Sequence, residues 1–195
     1  MLSDRSIGEI KGRLGTMDAV LVGPGLGRSP GTRAVVTAVL ESYQGCVVLD
    51  ADGINVLSEH RNVLRGRKYP TILTPHDKEF RRIGGDLSLP RIQAAESFAA
   101  EMGVILLLKG HETIITDGKR TYINNTGNPG MAVGGCGDVL SGMIVSLVGQ
   151  GLEPLLAAAV AAWLHGRAGD VCAEQMGQYG MLPTDMLQVL PRLLK

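Results

Sequence analysis

The sequence predicts an α/β protein with a mostly parallel sheet, folded as a single domain over residues 1–195. Three observations predict it. Short apolar runs recur along the chain: Asp18–Val22 (DAVLV), Cys46–Leu49 (CVVL), Thr71–Leu73 (TIL) and Val104–Leu108 (VILLL). Stretches with helical spacing of apolar residues lie between them. Each run empties into a cluster of Gly, Pro or Asp, the place where parallel α/β sheets hold their ligands.

Taken in order, Met1–Thr16 reads as a short surface helix or an arm. Asp18–Val22 is a buried strand ending in the turn Gly23-Pro24-Gly25-Leu26-Gly27, a ligand loop or simply a tight strand-to-helix turn. Ser29-Pro30 opens a helix to about Tyr43, with Pro near the first turn. Cys46–Leu49 is the next strand, and Asp50 and Asp52 follow it. Two carboxylates at a strand end suit a polar ligand or metal-bound water, and equally Asp52 suits a cap on a helix Ile54–Ser58. Thr71–Leu73 runs into Thr74-Pro75-His76-Asp77-Lys78-Glu79. Pro75 ends the strand, and His76 and Glu79 fall one helical turn apart. His76 suits a cap or a ligand contact.

Arg91–Met102 carries Ile92, Ala95, Phe98 and Ala99 on one helical face. Val104–Leu108 is a central strand, with Lys109-Gly110-His111-Glu112-Thr113 beyond its end. Thr113–Thr116 and Arg120–Ile123 form a hairpin across Asp117-Gly118. Pro154–Gly169 is an Ala-rich helix expected to pack closely on a Val139–Val148 helix. His165 and Asp170 read as its terminal cap and salt link. Leu182-Pro183-Thr184-Asp185 opens a last helix to Leu194, with Thr184 and Asp185 where capping groups belong.

The stretch from Asn124 to Gln150 carries the chemistry. Five glycines fall between Gly127 and Gly137, then Asp138, then an uncharged apolar helix. A glycine-rich loop lets a ligand approach the main chain. The first amides of the helix, at Gly135, Cys136, Gly137 and Asp138, make an anion site. Asp138 then either sits where a phosphate would be held or is a plain cap. A Val at Gly137 is expected to resist the positive φ of such a loop and to fill the phosphate space. The loop has no Gly-Lys-Ser/Thr of a phosphate-binding P-loop and no GxGxxG between a strand and a helix.

Bulk composition excludes other classes. Lys+Arg and Asp+Glu both number 19 and aromatics are 4%, so the chain lacks the basic excess and stacking platforms of a nucleic-acid binder. Hydrophobic content of 45% with 19% charged residues reads as a soluble globular protein. Cys46, Cys136 and Cys172 show no CxxC spacing, which fits a reducing, cytoplasmic setting without a metal cluster or disulfide framework. Met1–Gly15 is polar and mixed in charge, unlike a signal peptide. Leu155–Leu164 is too short to span a bilayer, so no membrane partner is expected.

GGCGD before an apolar helix resembles the GxGD anion-hole motif of the ribokinase-like superfamily, whose aspartate activates a substrate hydroxyl towards a nucleotide phosphate. VGPGLG, LDADGIN, LTPHDKEF, LLLKGHETII, TGNPGMAVGGCGDVLSG, AAWLHGRAGD and LPTDML stand in the same order as in one branch of it. By these motifs the chain, from about Asp18 onward, resembles the ADP- or ATP-dependent NAD(P)H-hydrate dehydratases. The resemblance implies a three-layer α/β/α fold and dehydration of NADHX or NADPHX to NADH or NADPH. The hydroxyl is phosphorylated from ADP or ATP, and phosphate then leaves. It implies Asp138 as the catalytic base and Gly25, His76 and Asp138 at the hydrated dinucleotide. It places Lys109, Gly110, His111, Glu112, Thr113 and Gly137 at the adenine nucleotide, and an anion hole at Gly135, Cys136 and Gly137. Gly27, Asp52 and Asn55 are further site residues. Mg²⁺ would bridge the phosphates, with Glu79 as a candidate outer-shell partner and no direct ligand assigned.

Three departures stand out. Family members carry a segment ahead of GPGLG with further strands of the sheet, so the resemblance implies an N-terminally shortened chain: a fragment, a degenerate protein, or one whose sheet a second copy or a partner chain completes. Cys136 replaces a small hydroxylated residue, a change that leaves the loop amides in place. Asp77-Lys78 stands where the family has Pro-Gly, in the turn that carries His76. Two rival readings use the same loop: a small-molecule kinase of hydroxymethylpyrimidine or thiazole type, and a nucleotide-binding remnant without catalysis.

Overall fold

The computed structural model describes residues 4–194. Six strands form one sheet in the order of the chain: β1 (Ala19–Val22), β2 (Cys46–Leu49), β3 (Thr71–Leu73), β4 (Ile105–Leu108), β5 (Thr113–Thr116) and β6 (Thr121–Asn124). The first four run parallel, and β5 and β6 return antiparallel as the expected hairpin. The helices are α1 (Asp4–Leu14), α2 (Pro30–Ser42), α3 (Asp52–Asn55), α4 (Asn62–Arg65), α5 (Asp77–Arg82), α6 (Arg91–Met102), α7 (Cys136–Gly149), α8 (Pro154–Met176) and α9 (Pro183–Leu193).

Strand alternation divides the apolar residues between two layers. Val47, Leu49, Leu73, Leu106, Leu108 and Ile114 face a core shared with α2 and α6. Cys46, Val48, Ile72, Ile105, Leu107 and Ile115 face a second core shared with α7 and α8. The topology explains this division. A parallel sheet that grows in one direction through right-handed crossovers sends every crossing helix to the same face. The opposite face is left for α7 and α8, which arrive after the hairpin. Because β2, β3 and β4 are buried on both faces, their sequences are continuous apolar runs. Ala158, Ala161 and Ala162 of α8 pack with Leu140 and Ile144 of α7, as the alanine spacing predicts.

Several boundaries differ from the sequence reading. The N-terminal stretch is a helix from Asp4, and its first residues, 1–3, lie outside the described ones. The helix expected at Ile54–Ser58 is the single turn α3, followed by turns to α4. β6 sits one residue later than expected. The largest difference is α8, which continues past Gly169 to Met176. Its glycines do not stop it, because they serve packing: a Cβ at Gly166 would strike Thr126, and one at Gly169 would strike Met131. His165 is therefore a buried mid-helix residue and not a terminal cap.

Candidate active site

Each parallel strand releases its chain at the same edge of the sheet, so the loops after β1 to β4 converge there. After β1, Gly23 has φ +141, and a Cβ on it would collide with the Asp50 carbonyl oxygen. Only glycine permits that approach. Gly25 and Gly27 also have positive φ, and open space lies where their side chains would be. Asp52 fixes this loop. Its carboxylate accepts from the Gly27 amide at 2.9 Å and from Arg28 Nε at 3.1 Å. It reaches back across the turn, and the N-cap of α3 is Ala51. Asn55 is buried, and its Oδ1 accepts from Arg82.

The residue whose partner the sequence left open is Asp50. It is 1% exposed, and its Oδ1 accepts from Lys109 Nζ at 2.9 Å and from the Ala51 amide at 2.9 Å. The turn it holds is strained, since Ala51 has φ +48 without being glycine. Two carboxylates after β2 and a lysine after β4 were the available signal. Only the strand order shows that they meet.

After β3, His76 is the N-cap of α5. Its Nδ1 accepts from the amides of Lys78 at 3.1 Å and Glu79 at 3.3 Å, while Glu79 Oε2 accepts from the His76 amide at 3.1 Å. This is a capping box with histidine in place of the hydroxyl residue. Asp77-Lys78 is accommodated within it. An Nδ1 that accepts leaves the proton of the neutral ring on Nε2, so the half-exposed imidazole carries a donor there, 3.6 Å from Glu79 Oε2. A parallel bridge between His76 and Lys109 sets these two residues side by side.

The glycine loop ends at Gly135, whose φ of +96 turns the chain into α7. Val139 makes the first helical bond, to the Gly135 carbonyl. The amides of Gly135, Gly137 and Asp138 make no hydrogen bond among the described residues, whereas the Cys136 amide bends back to the Val133 carbonyl at 3.4 Å. The expected four open amides are thus three. Gly137 has no positive φ, so conformational freedom is not its role. A Cβ there would lie 3.3 Å from Lys109 Nζ and 3.7 Å from Asp50 Oδ2. The exposed Asp138 carboxylate takes no hydrogen bond or ion pair among the described residues, so no bond supports the plain cap.

A cavity of about 890 Å³ joins these parts. His76, Lys109, Gly110, His111, Glu112 and Thr113 line one side, Cys136 and Gly137 the helix end, and the 124–133 loop the other side. Its floor is Leu140, Ala162 and His165. Gly25, Gly27, Asp52, Asn55, Glu79, Gly135 and Asp138 do not line it; Asp138 follows directly on Gly137. Burial pushes the His165 ring down to about 4, with the Lys109 charge acting in the same direction and a hydrogen bond to the Cys136 backbone opposing both. The ring is neutral at pH 7, and its buried Nε2 has no partner among the described residues. Burial likewise pushes the Cys136 thiol up, so this loop cysteine is no thiolate nucleophile.

The fold and the cavity, with helix-end amides beside a lysine at the strand ends, define a ribokinase-like protein. A ribokinase-like superfamily protein of Enterococcus faecalis superposes with a TM-score of 0.85 at 29% identity, covering 97% of this chain and 66% of that one. The family model described as NAD(P)H-hydrate dehydratase matches residues 3–192, and the chain belongs to that family. It is 44% identical over 200 residues to the bifunctional NAD(P)H-hydrate repair enzyme of Moorella thermoacetica, covering 100% of this chain and 38% of that protein. The ADP/ATP-dependent NAD(P)H-hydrate dehydratase of Bacillus subtilis, co-crystallised with ATP/Mg²⁺ and soaked with CoA, superposes with a TM-score of 0.82 at 31% identity. That match covers 91% of this chain and 65% of the Bacillus one. The chain thus spans well under half of the Moorella protein.

Proposed function

We propose that this chain catalyses the ADP- or ATP-dependent dehydration of NADHX and NADPHX to NADH and NADPH. The observation that carries the reading is the cavity that sets Lys109–Thr113 against Gly137, whose amide is open in the first turn of α7. Lys109–Thr113 and Gly137 hold the adenosine phosphates, and Gly25 and His76 hold the hydrated dinucleotide. His76 contributes a donor at Nε2. Asp138 takes the proton of the ring hydroxyl. The hydroxyl oxygen bonds to the terminal phosphorus as the bond to the nucleotide's bridging oxygen breaks, and the helix-end amides stabilise the charge on the phosphoryl oxygens. Phosphate then leaves carbon with the bonding pair, a ring proton is lost, and the double bond returns.

No group of three or more metal-ligating side chains exists among the described residues. Asp50 is engaged by Lys109, and Glu79 by the cap of α5. That fits Mg²⁺ carried in on the nucleotide phosphates, the usual mode for this ion, with Glu79 at most in an outer shell. Three free thiols support a cytoplasmic setting. Among the described residues β1 pairs only with β2, and this open edge supports association with a second copy or another chain. A monodisperse monomer in light scattering at micromolar concentration would overturn the association.

Incubation with NADHX and ADP, followed through the absorbance of the reduced nicotinamide, tests the activity. Recovery of the chromophore is expected. Consumption of ATP with an alcohol acceptor but no recovery would mean a kinase, and nucleotide binding without turnover a remnant.

A further inference from the structure

The 124–133 loop walls the cavity with little regular structure of its own, one 3₁₀ turn at Pro129–Met131. Something outside it must therefore hold it in place. Two contacts on α8 do so at its amino end. Thr126 Oγ1 donates to the Trp163 carbonyl at 3.0 Å, and Thr126 sits where Gly166 has no Cβ. One helical turn further on, Asp170 receives two bonds from the loop. Its Oδ2 accepts from the Gly127 amide at 3.1 Å, and its Oδ1 accepts from Asn128 Nδ2 at 3.2 Å. Asn128 passes the constraint on, because its Oδ1 accepts from the Gly130 amide at 3.0 Å and so caps the 3₁₀ turn. Gly127, Asn128, Pro129 and Met131 all line the cavity.

We infer that Asp170 is a positioning residue: it clamps the 124–133 loop as a wall of the cavity and so sets the affinity for an adenosine diphosphate. The inference rests on the reading of the cavity as a nucleotide site. Asp170 itself does not line the cavity. It acts through Gly127 and Asn128, and hydrogen bonds to a charged acceptor are among the stronger ones available to a loop. Its salt link to Arg167, 3.7 Å away, is a side contact. The HGRAGD motif then has one purpose over three positions: Gly166 and Gly169 make room for the loop and Asp170 ties it.

The test compares the parent with Asp170→Ala and with Asp170→Asn, which keeps one acceptor oxygen. Amide hydrogen exchange is read at Gly127, Gly130 and Met131, and ADP binding by calorimetry. In Asp170→Ala, exchange at these amides should quicken and the Kd for ADP should rise about tenfold, the scale of one charge-assisted bond. Asp170→Asn should fall between the two. In turnover, KM for ADP should rise while kcat changes less than about twofold, a split that a general loss of folding does not give. Unchanged exchange in a folded variant would overturn the clamp, as would faster exchange with unchanged ADP affinity. If Asp170→Ala does not fold, Asp170→Asn decides by the same criteria. A parent that binds no ADP would sink the reading of the cavity, and the exchange rates would then judge the clamp by themselves.

Discussion

Lys109 and Asp50 come from strands two places apart in the sheet and meet at 2.9 Å, with a backbone glycine of α7, Gly137, laid over the pair. The carboxylate is almost fully buried and the ammonium keeps part of its contact with water. The pair fixes the one lysine that lines the cavity beside Gly137, in the first turn of α7. Two positive features, an ammonium and a helix amino end, thereby converge on one spot.

Removing one partner strands the other. Asp50→Ala should lower stability by about 2–3 kcal/mol, less than for a fully buried pair because Lys109 is partly solvated. Asp50→Ala combined with Lys109→Met should recover part of that loss. Urea unfolding of the four proteins in the cycle measures it, and additive losses would show that the pair is not coupled.

Asp138→Asn should lower turnover by about a hundredfold or more while leaving ADP affinity nearly intact, the signature of a positioned base. Steady-state rates alongside calorimetry separate the two effects. Equal activity of variant and parent would remove Asp138 from the chemistry.

Gly137→Val should weaken ADP binding by about tenfold or more, since its methyls would press on Lys109 Nζ, already 3.3 Å from the position of a Cβ. The cause is crowding and not φ, so Gly137→Ala should show a smaller loss of the same kind. Unchanged affinity in a folded Gly137→Val protein would place the phosphates elsewhere.

His165 gives a pH dependence. Its folded value of about 4 lies below the ordinary 6.5, so the unfolded chain binds more protons between those values. Stability contributed by the neutral ring is full above about pH 6.5 and is lost as pH falls towards 4. The loss from this residue should reach about 2 kcal/mol by pH 5. Urea unfolding at pH 8 and pH 5 should show a shallower decline in His165→Gln than in the parent. Parallel declines would mean that the ring is solvated or charged in the fold.

Much of the fold was legible because its signals are local. The runs CVVL, TIL and VILLL announce strands buried on both faces, Asp117-Gly118 announces the hairpin, and Ser29-Pro30 opens α2. The order of these elements limits the topology, because right-handed crossovers leave few arrangements. The residues that the cavity collects from single motifs, Lys109–Thr113 and Gly137, were legible for the same reason: each lies just past a strand or at a helix start.

What the sequence could not decide is which groups satisfy one another across the chain. His76 looked like a cap or a ligand contact, and the fold makes it a cap through Nδ1 with Nε2 left to offer. Asp52 suited a polar ligand or a helix cap equally, and in the fold it holds Gly27 and Arg28. His165, Gly166, Gly169 and Asp170 looked like the end of a helix, and the structure makes His165 a buried cavity residue and the other three the seat and anchor of a loop some forty residues earlier. Propensity and periodicity report on neighbours within a turn or a strand. A hydrogen bond from Gly127 to Asp170, or an ion pair between Asp50 and Lys109, exists only once the sheet order and the packing of α8 have brought distant backbone together.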